Sequence, residues 1–324
     1  CARSLEDHGC DSFAVFSFSE ALELRDNGIK SDILIFSKTN QHYLEPAFKN
    51  NLTLNVSSLD DIDIFESHKL SNEKIPNFHL KFDTGMTRLG INISDASNVF
   101  ERVKRNLGTE CKGIYSHYAT ADEGDLSFAN HQFSLFNDVI ETAIEKEIKF
   151  ETIHFSNSGA SINLDQSKFD QVRVGMLLYG AYPSSEVPKD LPVEPVMEFC
   201  APVVEVRKVK KNTPVSYGGV YKTPDDCTIG VVQCGFADGI PREWYKEGFV
   251  SMNGTYFKIA GRICMDQFMV NFEKFTPSIG EEILIFGKNK ANQILMENIS
   301  ETIKSTPYVV ATGIKGRTQK EYKF

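Results

Sequence analysis

Apolar positions in the first half of the chain form short runs separated by amphipathic stretches. The runs that predict strands lie at 12–18, 32–37, 52–57, 78–84, 112–118, 152–158 and 172–180. Stretches with helical periodicity lie between them, and the longest spans 127–147. Regular alternation of strands and helices is typical of a parallel sheet.

Seven predicted strands are one fewer than a (β/α)8 barrel contains. The first residues, ARSLEDHG, have the pattern of a helix that ends at Gly9. Such a helix would follow a first strand located before Cys1. We therefore predict an α/β fold with a TIM-type (β/α)8 barrel whose first strand is missing.

The pattern changes after the Pro- and Ser-rich stretch YPSSEVPKDLPVEPV. Helical periodicity is almost absent from there to about residue 296, and apolar runs alternate with Gly- and Asn-containing turns. This pattern predicts a mainly antiparallel β domain. The expected domains are a barrel over 1–185 and a C-terminal β domain over 195–324.

Composition and charge exclude several classes of protein. A net charge of −9 over 324 residues argues against a general nucleic-acid or anionic-membrane surface. No apolar run reaches the roughly 18–20 residues that a membrane helix needs. Seven scattered cysteines without a CxxC pair indicate a reducing compartment, and we expect a cytoplasmic protein. The chain begins with Cys1, so the sequence leaves open whether a signal peptide precedes it.

Polar residues alternate with apolar ones in the strand predicted at 78–84. His79, Lys81 and Asp83 share one face, and Tyr115 and His117 share one face of a later strand. In a barrel, alternate strand residues point into the lumen, and active sites lie at the carboxyl ends of the strands. A solvated outer face is the alternative for either strand alone. Recurrence in two strands favours a polar lumen.

The ends of the last two predicted strands suggest a phosphate site. Ser158 follows the strand at 152–158, and Gly175 lies in the strand at 172–180. Barrels often bind phosphate through the loops after strands seven and eight, with backbone N–H groups as donors. We therefore predict a phosphate-bearing ligand.

Two other kinds of site fit the sequence poorly. Asp83-Thr84-Gly85 has the form of an aspartic-protease loop, but that chemistry needs two such aspartates, and this chain has one such triplet in a strand–helix repeat. The seven histidines show no i,i+4 pair and no nearby Cys pair, so we predict no metal site.

The second half contains three dense stretches, VSYGGVYKTPDD (215–226), CGFADGIPR (234–242) and GRICMDQ (261–267). Tyr217 stands directly before a Gly-Gly pair. It is either a site residue or a core tyrosine beside a turn, and the pattern alone leaves both open.

The chain resembles the alanine racemase family over essentially its whole length. The resemblance lies in HLKFDTGMTRLG, SHYATAD, HFSNSGAS, VRVGMLLYG, VSYGGVY, GFADGIPR and GRICMDQ, which occur in the family's order. It implies a bacterial isomerase that uses pyridoxal 5'-phosphate to interconvert L- and D-alanine and supplies D-alanine for the cell-wall peptidoglycan. It also implies a homodimer in which two subunits complete each active site.

The resemblance assigns roles in the barrel. Arg88 would contact the cofactor phenolate oxygen and the substrate carboxylate. Lys81 is similar to a lysine that is often carbamylated in the family and would then pair with Arg88. Arg173 would face the pyridine nitrogen and donate a hydrogen bond without giving up a proton. His117 would hydrogen-bond the catalytic tyrosine.

The remaining roles concern phosphate, the second base and the carboxylate. Ser158 and the backbone around Gly175 and Met176 would hold the phosphate. Tyr217 would be one of two bases and would reach in from the partner subunit. Met265, through its backbone, would help to hold the substrate carboxylate.

Three departures from the family pattern affect these expectations. The family's cofactor lysine would lie before Cys1, so we expect the 324-residue chain to be inactive by itself. Phe236 replaces a tyrosine near the site entrance. The tail TGIKGRTQKEY aligns loosely, and Tyr322 is a poor candidate for a phosphate contact.

Three alternatives remain at this point. A broad-specificity amino-acid racemase would need only changes in the pocket. A non-catalytic pyridoxal-phosphate-binding protein would explain a missing lysine, but it would need neither a second base nor a carboxylate clamp. A basic-amino-acid decarboxylase of the same fold type has different motifs.

Overall fold

The computed structural model describes residues 1–72 and 74–322. The chain forms two compact units, residues 1–174 (unit 1) and 175–324 (unit 2), and each is described by itself. The predicted domain limits, 1–185 and 195–324, stay a prediction. Residues 323 and 324 of the predicted β domain lie outside the described part.

Unit 1 is built on one curled sheet with helices between its strands. The strands are β1 Ser12–Val15, β2 Asp32–Ile35, β3 Thr53–Val56, β4 Phe78–Asp83, β5 Ile91–Asn92, β6 Cys111–Tyr115 and β7 Thr152–His154. The helices are α1 Ala2–Asp7, α2 Phe18–Asp26, α3 Leu44–Lys49, α4 Leu59–Asn72, α5 Ala96–Arg102, α6 Ser127–Glu145 and α7 Ser158–Asn163. The order is β1-β2-β3-β4-β6-β7, all neighbours are parallel, and β5 pairs with β4. The predicted strand–helix barrel architecture is confirmed.

The alternation in β4 determines which face of the sheet meets the helices. Phe78 and Phe82 are fully buried, and their rings contact Phe65 of α4 and Phe100 of α5. Successive strand residues point to opposite faces, so His79, Lys81 and Asp83 lie on the other side, in the lumen of the curled sheet. The polar face predicted for this strand is therefore the inner one.

The strand predicted at 172–180 is wrong. The nearest strand pairing is an isolated bridge between His154 and Gln171, just before this range, and Met176–Tyr179 forms a 3-10 turn. Gly180 ends this turn at φ +74°, and a Cβ on it would lie 1.8 Å from the carbonyl oxygen of Glu194. A glycine in this left-handed conformation stops an extended strand.

Unit 2 is a mainly antiparallel β unit, as predicted. Its strands are β8 Phe199–Val209, β9 Pro214–Val215, β10 Tyr221–Lys222, β11 Cys227–Val232, β12 Phe249–Met252, β13 Thr255–Ile259, β14 Phe268–Asn271, β15 Glu282–Asn289 and β16 Asn292–Ile294. Two helices follow, α8 Met296–Thr302 and α9 Pro307–Gly313. The main sheet has the order β12-β13-β14-β11-β8-β15-β16, and β12 also pairs with β15, so the sheet curls back on itself around Trp244 and Phe268.

Across residues 1–72 and 74–322, no helix combines the length and the apolar character that crossing a membrane requires.

Candidate active site

A cluster of cationic and aromatic side chains lies in the lumen of unit 1. Lys81 comes from β4, Tyr115 ends β6, and Arg173 follows the bridge at Gln171. The Lys81 Nζ lies 5.5 Å and the Arg173 Cζ 5.4 Å from the centroid of the Tyr115 ring. The Tyr115 hydroxyl donates to Asn55 Oδ1 over 2.9 Å, which helps to hold the ring near both cations.

Arg173 is held by four acceptors. It donates to the carbonyl oxygens of Ser116 (2.7 Å) and Phe155 (2.9 Å), and to Nδ1 of His154 (2.8 Å) and His117 (3.2 Å). A guanidinium group only donates hydrogen bonds. Both imidazoles must therefore leave Nδ1 unprotonated and carry their proton on Nε2.

The histidines of this lumen are neutral near neutral pH. Burial, followed by the charge of Arg173, lowers the pKa of His117 to about 3 and that of His79 to about 4. The same two causes lower the pKa of His154 well below its usual value. The neutral His154 places its Nε2–H 2.9 Å from Nδ1 of His79, which accepts it. Burial also lowers the pKa of Arg173 to about 10, so Arg173 stays charged.

Lys81 is the most informative cation of the cluster. Only 6% of its surface is exposed, and we find no hydrogen bond or ion pair for its amine within residues 1–72 and 74–322. Burial lowers its pKa to about 8, and the charges of Arg88 and Arg173 contribute. The Tyr115 ring and the carboxylate of Asp83 offset this charge only in part, since the pKa stays lowered. The lumen is therefore suited to an anionic ligand or to a modification that changes the charge of Lys81.

The turn after β4 presents Arg88. Asp83 Oδ1 accepts the amides of Gly85 (2.9 Å) and Thr87 (3.0 Å), and Thr87 adopts φ +54°, which is rare for a β-branched residue. Gly90 packs on the same strand, where a Cβ would lie 2.4 Å from the Asp83 nitrogen. The side chain of Arg88 is exposed, and its charge lowers the pKa of Lys81.

The predicted phosphate residues lie in different units. Ser158 is buried in the first turn of α7, after Asn157, whose side chain accepts from the amide of Ala160. Gly175 and Met176 lie in unit 2, at the start of the 3-10 turn. Their shared role stays a prediction.

Unit 2 carries a separate cavity of about 590 Å³. It is lined by Ser216, Tyr217, Gly218, Cys264, Met265, Asp266 and Gln267. Tyr217 is 66% and Met265 is 56% exposed, and the Tyr217 hydroxyl has no hydrogen-bond partner among the described residues of unit 2. The alternative of a core tyrosine is therefore wrong.

The backbone around Tyr217 is held in an unusual shape. Ser216 adopts φ +64°, and its hydroxyl donates to the carbonyl oxygen of Arg262 over 2.6 Å. Gly261 lies against it, and a Cβ there would be 2.8 Å from the Cβ of Ser216. These contacts join the VSYGG and GRICMDQ stretches and bring Tyr217 and Met265 to one cavity.

Sequence reasoning missed His154 and Tyr308. His154 interrupts an apolar strand in TIHF, which was a usable signal. The hydroxyl of Tyr308, on α9, lies 3.7 Å from where a Cβ of Gly175 would be, and no sequence pattern indicated this approach.

Comparison with known proteins gives the same family for both units. Residues 1–183 match the family model described as alanine racemase, N-terminal domain, and residues 196–322 match the one described as alanine racemase, C-terminal domain. Alanine racemase 2 of Caldanaerobacter subterraneus subsp. tengcongensis is 33% identical, and the match covers 99% of this chain and 83% of the relative. The alanine racemase of Carboxydothermus hydrogenoformans is 34% identical over 99% and 88%. The crystal structure of alanine racemase from D-cycloserine-producing Streptomyces lavendulae superposes with a TM-score of 0.90 at 30% identity, covering 98% and 84%.

Proposed function

This chain belongs to the alanine racemase family, and from that membership we propose that the protein interconverts L- and D-alanine with pyridoxal 5'-phosphate. The observation that carries the proposal is the cationic lumen, in which Lys81 lies buried near Arg173 with no hydrogen bond or ion pair to its amine among the described residues. Pyridoxal phosphate is an anion, and its electron-withdrawing ring acidifies the α-proton of a bound amino acid. The product D-alanine would supply peptidoglycan synthesis.

The residues present fit this cofactor. Arg173 would face the pyridine nitrogen and donate a hydrogen bond, since its four acceptors hold it and its charge persists near neutral pH. Arg88 would bind the phenolate oxygen and the substrate carboxylate. Ser158, together with the backbone of Gly175 and Met176, would bind the phosphate.

Racemisation needs one group to remove the α-proton and another to deliver a proton to the opposite face. Tyr217 is the candidate for one face, because its hydroxyl is exposed and lacks a partner within unit 2. His117 carries its proton on Nε2, so it can donate to a phenolate oxygen and lower the pKa of the tyrosine, which raises the fraction present as the base near neutral pH. We propose a homodimer in which Tyr217 and Met265 of one chain complete the lumen of the other.

Lys81 is the proposed site of carbamylation. The neutral amine attacks CO2, a proton leaves to solvent, and the resulting anion would pair with Arg88. With a pKa of about 8, roughly half of Lys81 is neutral at pH 8, whereas an ordinary lysine is less than about 1% neutral there. In 13C-labelled bicarbonate at pH 8, one protein-bound carbamate 13C signal is expected. It should weaken as the pH falls below 8, and it should be absent from Lys81→Met. A signal that persists in Lys81→Met would reject this site.

We also propose that the protein is cytoplasmic and that the 324-residue chain is inactive by itself. None of the seven cysteines, all of which are described, forms a disulfide, which supports a cytoplasmic protein. Lys81 is the one buried lysine within residues 1–72 and 74–322. By resemblance Lys81 is not the cofactor lysine, and none of the matched motifs supplies that lysine, so we propose that the 324-residue chain alone does not turn over alanine.

The test of the function is a racemisation assay. The protein as its gene encodes it should convert L-alanine to an equal mixture of enantiomers when loaded with pyridoxal phosphate, while the 324-residue chain should not. Optical rotation measures the conversion, and Arg88→Ala is the matched inactive variant. L-serine converted as fast as L-alanine would favour a broad-specificity racemase. Cofactor binding without any conversion by the encoded protein would favour a non-catalytic binding protein.

A further inference from the structure

Arg317 bridges two aspartates from different loops of unit 2. Its Nε donates to Asp238 Oδ1 over 2.7 Å and its Nη2 to Asp238 Oδ2 over 3.2 Å. The same Nη2 donates to Asp266 Oδ1 over 2.6 Å. Asp238 is buried after β11, and Asp266 lines the cavity beside Met265. One guanidinium group thus joins the loop 235–238 to the loop 264–267.

The two loops are also joined through their backbones. The amide of Phe236 donates to the carbonyl oxygen of Cys264, and that of Ala237 to the carbonyl oxygen of Met265, each over 3.0 Å. Gly235 approaches so closely that a Cβ on it would lie 2.3 Å from the Met265 oxygen. Asp238 Oδ2 accepts the amide of Gly235 over 2.8 Å. The position of the Met265 peptide therefore depends on the loop that Asp238 and Arg317 hold.

The backbone amide N–H of Met265 is available to a ligand. Its carbonyl oxygen is used by Ala237, but we find no acceptor for its amide N–H among the described residues of unit 2. The same residue lines the cavity with Tyr217. The hydrogen bonds to the adjoining carbonyl groups fix the orientation of this amide. Because its N–H has no acceptor among the described residues of unit 2, it is suited to donate to a carboxylate.

We propose that Arg317 is a positioning residue that, through Asp238 and Asp266, holds the Met265 amide where the substrate carboxylate binds. This inference rests on the proposed function, and it adds a residue that does not touch the substrate. The planar fork of arginine can bind both carboxylates, whereas the point charge of lysine cannot match this geometry. Without Arg317, two carboxylates would face each other across the loops and separate them.

The experiment compares Arg317→Ala and Arg317→Lys with a matched control in the full-length holoenzyme. The control is Lys210→Ala, which breaks an exposed ion pair with Asp226 in the same unit. Arg317→Ala should raise the KM for alanine roughly tenfold and change kcat less, because binding of the carboxylate is lost in ground and transition states alike. The KM of Arg317→Lys should lie between those of Arg317→Ala and the unchanged protein. The KM of Lys210→Ala should equal that of the unchanged protein.

Hydrogen exchange measured by mass spectrometry gives a second readout. Segments 235–238 and 264–267 should exchange faster in Arg317→Ala and should not change in Lys210→Ala. Faster exchange with an unchanged KM would mean that Arg317 only stabilises the loops, and unchanged exchange would mean that it does not hold them. Either result overturns the proposal.

Two further arms separate the possible failures. If Arg317→Ala does not fold, Asp266→Ala removes the exposed half of the bridge, and a smaller rise in KM is expected. An unchanged KM in that variant overturns the proposal. If the unchanged holoenzyme does not racemise alanine, the proposed function and its carboxylate site both fail. The exchange data then show only whether Arg317 holds the loops.

Discussion

Tyr217→Phe is expected to lower the racemisation rate of alanine by about 10²–10⁴-fold, the range by which a positioned acid–base group accelerates proton transfer. The substitution removes one oxygen from an exposed side chain, so the stability of unit 2 should hardly change. The two enantiomers have equal free energy, and kcat/KM must therefore fall equally in both directions. Optical rotation followed from pure L-alanine and from pure D-alanine measures both values.

A matched control for this substitution is Tyr256→Phe. Tyr256 is also exposed in unit 2, and its hydroxyl donates to the carbonyl oxygen of Gln293. Tyr256→Phe also removes a phenolic oxygen, but outside the cavity, so this variant should keep full activity. An equal loss in both variants would show that a hydroxyl on this surface matters only for structure, and it would reject Tyr217 as a base.

The proposed shared site can be tested with two defective chains. In the proposed homodimer each site takes Arg88 from one chain and Tyr217 from the other, so Arg88→Ala and Tyr217→Phe homodimers should both be nearly inactive. A mixed dimer has one site with both defects and one site with neither. If subunits mix at random, about a quarter of the original activity should return. Mixed dimers that regain nothing would show that Tyr217 does not work in the site of another chain.

Arg173→Glu should slow racemisation by about 10²–10³-fold, the loss typical of removing a preorganised charged donor. The new carboxylate would meet the carbonyl oxygens of Ser116 and Phe155, which now accept from the guanidinium group. It would also let the pyridine nitrogen take a proton instead of a hydrogen bond. Transamination should therefore rise as a side reaction, measured as pyruvate released per racemisation event.

A second readout of Arg173 does not depend on turnover. The charge of Arg173 helps to lower the pKa values of His117, His79 and His154, so replacing it by a carboxylate should raise all three. NMR titration of 15N-labelled histidines measures these shifts. Arg173→Lys keeps the charge with fewer donors, and it should leave the histidines closer to their original values. Unchanged pyruvate release and unchanged histidines in Arg173→Glu would make Arg173 a purely structural residue.

The polar lumen could be predicted from the sequence because strand periodicity is a local property of the backbone. His79 and Lys81 alternate with buried phenylalanines, and the recurrence of such alternation at Tyr115 and His117 favoured the inner face over a solvated outer one. The hydrogen bond between His79 and His154 could not be predicted, because it joins residues 75 positions apart whose contact depends on strand order and register. The strand expected at 172–180 is absent because the backbone leaves the extended conformation at Gly175 and Met176–Tyr179 forms a 3-10 turn, which the apolar run did not indicate.

The contacts between the loops 235–238 and 264–267 of unit 2 could not be predicted from the sequence either. GFADG and GRICMDQ were both recognised as dense stretches, but their hydrogen bonds to each other and to Arg317 come from tertiary packing. Arg317 lies in a tail that aligned loosely with the family. Its partners are 79 and 51 positions away, and no pattern within the tail indicated them.

The turn that presents Arg88 is held by hydrogen bonds within the turn and by Phe128 and Gln132 of α6, which contact Gly85 and Thr84. Asp83 binds the amides of Gly85 and Thr87, and Gly90 packs back on the strand where the turn began. Most of the turn's contacts are therefore known in advance of laboratory evolution. Libraries that vary the surrounding helices but keep Phe128 and Gln132 should improve stability without displacing the arginine, whereas selection for a new substrate should change the proposed site residues of unit 2. The scaffold thereby separates the sequence positions that evolve for robustness from those that evolve for specificity.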